Sequence, residues 1–293
     1  MELLTMSKTG ALVLCYSAPL IIDKVIGLLG QEHFKFFLHV DKKLEIADYT
    51  STMRHAGQSV FIENRAAVFW GGFTMVEAEI ALAEAALADP ELSSFILISD
   101  DTIPLRPPAD IHAALAASPD RIVCAAKGRT RKVYDEFYFL DSPFSALRGR
   151  SMYETYLRPD DFDQFEQMVQ LRRRGKKPLK TLYFGRQWWS LSRQSLQAIV
   201  HLAKSDDWLF QSFRFSACPD ETFFQTCFRL CFPDAPSLDL PTYNDWSRPA
   251  ARPWVFSTAD DLRATKFSEA HLFARKIKRN LPELLDVITE RWS

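Results

Sequence analysis

Much of what marks other protein classes is scarce in these 293 residues. No apolar run reaches the roughly 18 residues that a membrane-spanning helix needs. The first ten residues carry one lysine, Lys8, and no apolar segment of signal-peptide length, so Ala11–Leu14 reads as a strand. An excess of one charge sign is also missing. The 36 Lys and Arg against 37 Asp and Glu leave a net charge of −1, and no global field draws the chain to nucleic acid or an anionic membrane. The five cysteines, Cys15, Cys124, Cys218, Cys227 and Cys231, are odd in number and contain no C-x-x-C. That pattern argues against a disulfide scaffold and suits a reducing, cytoplasmic setting. Cys227 and Cys231 lie four apart and read as thiols buried on one helix face rather than as metal ligands. No internal repeat is visible, and no glycine-rich phosphate loop.

What is present is a globular pattern. Residues of hydrophobic type make up 47% of the chain, enough for a full core, and the length suits one large domain or a domain with an extension. Short apolar runs alternate with helical patterns. Ala11–Tyr16, Phe36–Val40, Ser59–Ile62 and Phe95–Ser99 read as strands, and Ile21–Leu29 as a helix. Thr74-Met-Val-Glu77 has the spacing of a capping box, and the helix after it sets Val76, Ile80, Ala83 and Leu87 on one face. Such alternation predicts an α/β fold, a mostly parallel central sheet flanked by helices. Leu182–Leu191 returns to strand composition, Arg193–Ala203 to a helix, and Pro219–Leu230 to a helix with proline at its first position. From about Glu269 the tail reads as a basic amphipathic helix. Between these parts, 127–180 has weak periodicity and two basic runs, at 127–132 and 172–177. It reads as a long excursion over the sheet. The second run is either a solvated basic turn or a contact for an acidic acceptor.

Ligands of open α/β sheets bind beyond the carboxyl ends of the strands. Three polar clusters fall there: His39-Val-Asp41-Lys-Lys, Ser99-Asp100-Asp101 and Gly185-Arg-Gln187-Trp188. A strand-end aspartate serves equally as a turn former. Asp220 and Glu221 sit in the first turn of the helix after Pro219. Glu221 there is either the third residue of a cap at Cys218 or a catalytic carboxylate.

Taken in order, the segments around His39-Val-Asp41, Trp70-Gly71-Gly72, Leu97–Leu105, Gly185-x-Gln187-Trp188, Pro219-Asp-Glu221-Thr-Phe-Phe, Asp245-Trp246 and Leu272-Phe-Ala-Arg275-Lys276 resemble the core-2/I-branching family. That family includes β-1,6-N-acetylglucosaminyltransferases and peptide O-xylosyltransferases. The resemblance spans about residues 10–278. It implies a GT-A fold and an inverting transfer of N-acetylglucosamine or xylose from a UDP-sugar to a glycan or other hydroxyl acceptor. Glu221 matches the general base. Lys276, with Arg275 beside it, matches the diphosphate-binding position, and Arg252 a second basic position. Asp41 matches a position near uracil or ribose, Trp70 and Gly71 line the donor pocket, and Gln187 and Trp188 lie near the sugar and diphosphate. Asp101 matches the aspartate of a Ser-Gly-x-Asp-x-Pro-Leu segment. Here Asp100 departs from the pattern, which leaves a divalent metal at Asp100 and Asp101 open although the resemblance implies none and no other cofactor. The animal relatives also carry a membrane anchor and disulfides that this sequence lacks, which implies a bacterial-type enzyme.

The expected division is a catalytic core over 8–245, with 127–180 on its acceptor side, and an extension over 246–293 that completes the diphosphate site. Peripheral membrane contact through the basic tail stays open. Two other classes stay in view: a non-catalytic nucleotide-sugar-binding protein of the same fold, and a phosphoryl-transfer enzyme using Asp100 and Asp101.

Overall fold

The computed structural model describes residues 7–126, 179, 181–214, 218–247 and 253–292. Arg252, the basic runs 127–132 and 172–177, and nearly all of the 127–180 excursion lie outside the described residues. The first part runs β1 (Lys8–Cys15), α1 (Pro19–Leu29), β2 (Phe34–Val40), α2 (Ile46–Thr52), β3 (Ser59–Phe61), α3 (Thr74–Leu87), β4 (Leu92–Ser99), β5 (Ile103–Pro104) and α4 (Pro108–Ala117). Then follow β6 (Ala125–Ala126), β7 (Tyr183–Phe184), β8 (Ser190–Ser192), α5 (Arg193–Ser205) and α6 (Asp207–Ser212). A 3-10 turn, Pro219–Glu221, leads into α7 (Phe223–Cys231). The chain ends with β9 (Thr242–Asn244), α8 (Ala259–Ala264), β10 (Phe273–Arg275) and α9 (Leu284–Thr289).

The central sheet has the order β3-β2-β1-β4-β8. Its first four strands are parallel, and β8 adds antiparallel to β4. Continuous apolar runs are required because both faces are covered. Leu12, Leu14, Phe37, Phe95 and Leu97 face a core closed by α3, α5 and α7. Their neighbours Ala11, Val13, Phe36, Leu38, Ile96 and Ile98 face a second core closed by α1, α4 and α9. Each fully buried Leu, Ile or Phe contributes roughly 1.5–3 kcal/mol, so the two faces supply most of the drive to fold. This is the mostly parallel, helix-flanked sheet expected from the alternation. Among the described residues no helix is long and apolar enough to cross a membrane.

Four local expectations are corrected. The capping box does not form: Phe73 precedes α3, and the Thr74 hydroxyl accepts the Phe69 N–H instead. A turn closed by the Gly72 N–H on the Phe69 carbonyl precedes it, and the helix starts one residue earlier than the pattern implied. The stretch 182–191 is two short strands, because residues 185–189 leave the sheet to pack on α7 and the turn before it. The helix expected from Pro219 breaks at Thr222, whose φ of −136° is not helical, after a left-handed Cys218 at φ 48°. The tail from Glu269 is no amphipathic helix. Its centre is β10, held between β5 and β9 with Phe273 and Ala274 buried, and the helix α9 comes only later. Backbone pairing with β9 and burial of both faces of the strand outweigh helix periodicity there.

The carboxyl ends of β1, β2 and β4 share one rim. Asp100, just past β4, is fully buried there, and its Oδ2 accepts the backbone N–H groups of Tyr16, Ser17 and Ala18 at 2.9, 2.8 and 2.7 Å. The Tyr49 hydroxyl of α2 donates to the same oxygen at 2.7 Å. One carboxylate thus fixes the turn between β1 and α1 and ties it to α2. Burial, with the charge of Asp101 beside it, pushes the Asp100 carboxyl up, and the donors work against that shift. Asp100→Ala is expected to cost at least about 3 kcal/mol in urea unfolding, since four buried donors lose their acceptor together.

Candidate functional site

Asp41 follows β2 at the rim, buried, with its N–H on the Cys15 carbonyl. Its Oδ1 accepts the N–H of Lys43 at 2.9 Å and of Val68 at 3.3 Å, and its Oδ2 lies 3.0 Å from Lys43 Nζ. The carboxylate thereby anchors the loop that leads to Trp70 and Gly71. His39 helps: its Nε2 accepts the Ala66 N–H, and burial lowers its pKa to about 4, so the ring is neutral. Trp70 itself is 64% exposed at the end of this loop. Gly71 has φ 75°, a left-handed conformation that glycine adopts without strain. Its carbonyl accepts the Cys218 N–H at 2.9 Å, which joins the loop to the turn bearing Glu221.

Asp101 is engaged from three sides. Ser99 donates to Oδ1 at 2.6 Å, Arg275 Nη2 approaches Oδ1 at 3.2 Å, and the Tyr16 hydroxyl donates to Oδ2. Burial alone would raise the Asp101 pKa; the Arg275 charge and these hydrogen bonds reverse the sign and hold it below the usual range. Three of the four carboxylate oxygens of Asp100 and Asp101 therefore take N–H or O–H donors, and a guanidinium lies against the second. The pair does not fit a cation site. Among the described residues no group of three or more His, Cys, Asp or Glu is arranged to hold a metal.

Arg275 reaches this pocket from β10. It is buried, its Nε donates to the Ser99 hydroxyl at 3.1 Å, and its guanidinium sits 4.0 Å over the Trp188 ring. The guanidinium is turned into the protein rather than out over the rim. Lys276, half-buried, directs its ammonium towards the Tyr16 ring at 6.0 Å, and exposed Arg279 stacks on that ring at 4.8 Å. Burial and the Asp101 charge raise the Tyr16 pKa, so its hydroxyl stays a donor. Tyr16 and Arg279 were not marked by sequence reasoning. Tyr16 ends an apolar run, and Arg279 reads as one more charge of a solvated helix.

The segment 185–188 approaches the rim because β8 runs antiparallel to β4, so residues before Ser190 lie beside Leu97 and Ser99. Gly185 is required by space: a Cβ there would stand 2.0 Å from the Val123 carbonyl oxygen. Its N–H donates to the Glu221 carbonyl at 2.9 Å, and Gln225 Nε2 donates to the next carbonyl, that of Arg186, at 2.9 Å. Gln187 turns inward and donates to Glu79 Oε1 of α3 at 2.8 Å. The Glu221 N–H donates to the Cys218 carbonyl at 3.0 Å, and Cys218 makes no side-chain cap bond, so the expected cap reduces to a backbone turn. Glu221 remains half-buried, whereas Asp220 beside it is buried.

One chain of contacts runs from Gly71 through Cys218 to Glu221 and Gly185, and another from Trp188 through Arg275 to Asp101 and Tyr16, whose ring Lys276 approaches. Asp41 instead holds the loop before Trp70, Gln187 turns to Glu79, and Arg252 lies outside the described residues. Such a rim can bind an anion at its exposed cations and take a proton at Glu221. The chain matches the family model described as Core-2/I-Branching enzyme over residues 22–270. A search of the curated proteins finds no match.

Burial, and after it the charge of Glu221, push the Asp220 carboxyl up to about 8. A raised carboxyl pKa favours the folded state below the unfolded value of about 4, and that advantage is lost as pH rises through the folded value. The stability of the native protein relative to Asp220→Asn should therefore fall between pH about 4 and about 8 and then level off. Thermal unfolding of both proteins across this range checks it, and a pH-independent difference would contradict it.

Proposed function

Because the chain belongs to the core-2/I-branching enzyme family, and so is a glycosyltransferase with a nucleotide-sugar donor and a glycan acceptor, we propose that it transfers N-acetylglucosamine or xylose from a UDP-sugar by a single inverting displacement. The observation that supports this reading is the gathering of two cations, Lys276 and Arg279, at the Tyr16 ring past the strand ends, with the half-buried Glu221 tied through its carbonyl to Gly185, three residues before the Trp188 ring on which Arg275 lies.

Glu221 takes the proton of the acceptor hydroxyl as that oxygen attacks the anomeric carbon. The bond from this carbon to the diphosphate oxygen breaks, and its electron pair leaves with UDP. Lys276 and Arg279 face the growing phosphate charge, and cations preset in this way stabilise the transition state more than the ground state. The engagement of Asp100 and Asp101 by protein donors supports cations in the role that a metal fills elsewhere. Arg275 holds Trp188 against the rim, and Asp41 fixes the loop of Trp70 and Gly71 around the nucleoside. The excursion over 127–180 forms the acceptor side, and the extension over 246–293 completes the diphosphate site.

Thermal-shift titration with UDP and a panel of UDP-sugars, with and without EDTA, tests the reading, because a ligand of the native state raises the melting temperature by mass action. Stabilisation by UDP and one UDP-sugar is expected, unchanged by EDTA and weakened at least about tenfold in affinity by Lys276→Ala. Glu221→Gln should keep UDP affinity and lose about 100-fold or more in turnover. Binding that requires Mn²⁺ would sink the metal-free site. Binding without turnover in the native protein, against any acceptor, would favour a nucleotide-sugar-binding protein instead.

A further inference from the structure

Helix α3 carries an anomaly next to the base. Its packed side is built from Val76, Ala78, Ile80, Leu82, Ala83 and Ala86, yet Glu79 lies in the same interior at 0% exposure. A carboxylate in that position is costly without a cation or a full set of donors. Among the described residues Glu79 forms no ion pair; its Oε1 accepts the Gln187 amide at 2.8 Å, and the Trp189 indole N–H is turned to the same carboxyl. Glu79 Oε2 has no hydrogen-bond partner, and neither has Asp220 Oδ1, on the turn that packs against α3. Two buried carboxyl oxygens without donors thus lie on adjoining elements, one residue away from Glu221.

A proton on Glu79 Oε2 turns that orphan into a donor and removes one buried charge beside the turn. We propose that Glu79 is a positioning residue for the transfer reaction: with Asp220 it forms a buried acid pair that keeps at least one proton at neutral pH, which sets the Pro219–Glu221 turn on one side and the Gln187 amide on the other. The inference rests on the reading of Glu221 as the base. Burial, followed by the Asp220 charge, raises the Glu79 pKa well above the ordinary range, and the Gln187 hydrogen bond opposes this only in part. The other charged groups at hand are Glu221 itself and, one half-turn earlier on α3, Glu77, which Arg214 neutralises at 3.2 Å. Neither supplies a cation to the pair. The chemical consequence is a division of labour between neighbours. Asp220 and Glu79 together carry at most one charge inside the protein, while Glu221 next to them serves as the base that takes the acceptor's proton.

The test has two arms on the full chain. In the first, carboxyl-¹³C NMR of Asp- and Glu-labelled protein is titrated with pH, with Glu79→Gln and Asp220→Asn used to assign the two signals. At least one proton on the two carboxyls at pH 7 is expected, and two ionised carboxyls would overturn the inference whatever Glu221 does. In the second arm, Glu79→Ala should lower kcat at least about tenfold while UDP affinity holds within about threefold, because UDP itself does not touch the pair. Glu79→Gln, whose amide can still donate towards Asp220 and accept from Gln187, should restore most of the lost kcat. Full kcat in Glu79→Ala, or a Glu79→Gln protein as impaired as Glu79→Ala, would end the positioning role. Failure of the base assignment has a different signature, turnover retained in Glu221→Gln. If Glu79→Ala does not fold, the NMR arm and the Glu79→Gln kinetics still decide.

Discussion

The rim depends on one ion pair, Arg275 with Asp101, 174 residues apart in the chain and both buried. A buried pair of this kind adds little net stability over a well-packed apolar one, but losing one partner costs about 3–5 kcal/mol because the other charge is stranded. Its consequence here is positional. With Arg275 committed to Asp101, Ser99 and the Trp188 ring, β10 has a single register between β5 and β9. The next residue, Lys276, is thereby delivered to the Tyr16 ring, with Arg279 on the same ring. The cations divide the work: buried Arg275 fixes the tail, while half-buried Lys276 and exposed Arg279 lie nearer the surface.

The same economy governs the strand ends. Asp41, Asp100 and Asp101 each follow a buried parallel strand; the first two collect backbone donors from nearby connections, and Asp101 takes the side-chain donors of Ser99, Tyr16 and Arg275. Backbone N–H groups at such crossings must be satisfied where water does not reach. The carboxylates do this, so the loops they hold are rigid supports for whatever binds above them. A polar motif beyond a strand end is therefore an architectural part first.

Membership of the core-2/I-branching family and the α/β layering were both legible from the residues. Short apolar runs of strand length, buried on two faces, can only sit in the middle of a covered parallel sheet, and seven motifs in order carry the family. Glu221 was legible as a candidate because it belongs to one of those motifs. Glu79 was not. It occupies a helical position among alanines and leucines, and nothing local distinguishes an acid buried against Asp220 from one that faces solvent. Arg275 and Lys276 illustrate the same limit. As neighbours in a basic run they look alike, and only the partner on β4 separates them.

The tail shows most plainly where local pattern ends. Its spacing suits an amphipathic helix from Glu269, and the chain forms a strand there because β9 and β5 offer backbone partners and Asp101 offers a charge. The break at Thr222, the inward turn of Gln187 and the contact of Gly71 with Cys218 likewise require partners far away in sequence. By itself the sequence determined which segments are strands of the central sheet, which family the chain joins and which residue types gather at the strand ends, because periodicity and short motifs are local. Only the tertiary structure decided which of those polar groups are spent on holding the rim and which face outward, because that choice is made by burial and by charges brought together across the whole chain.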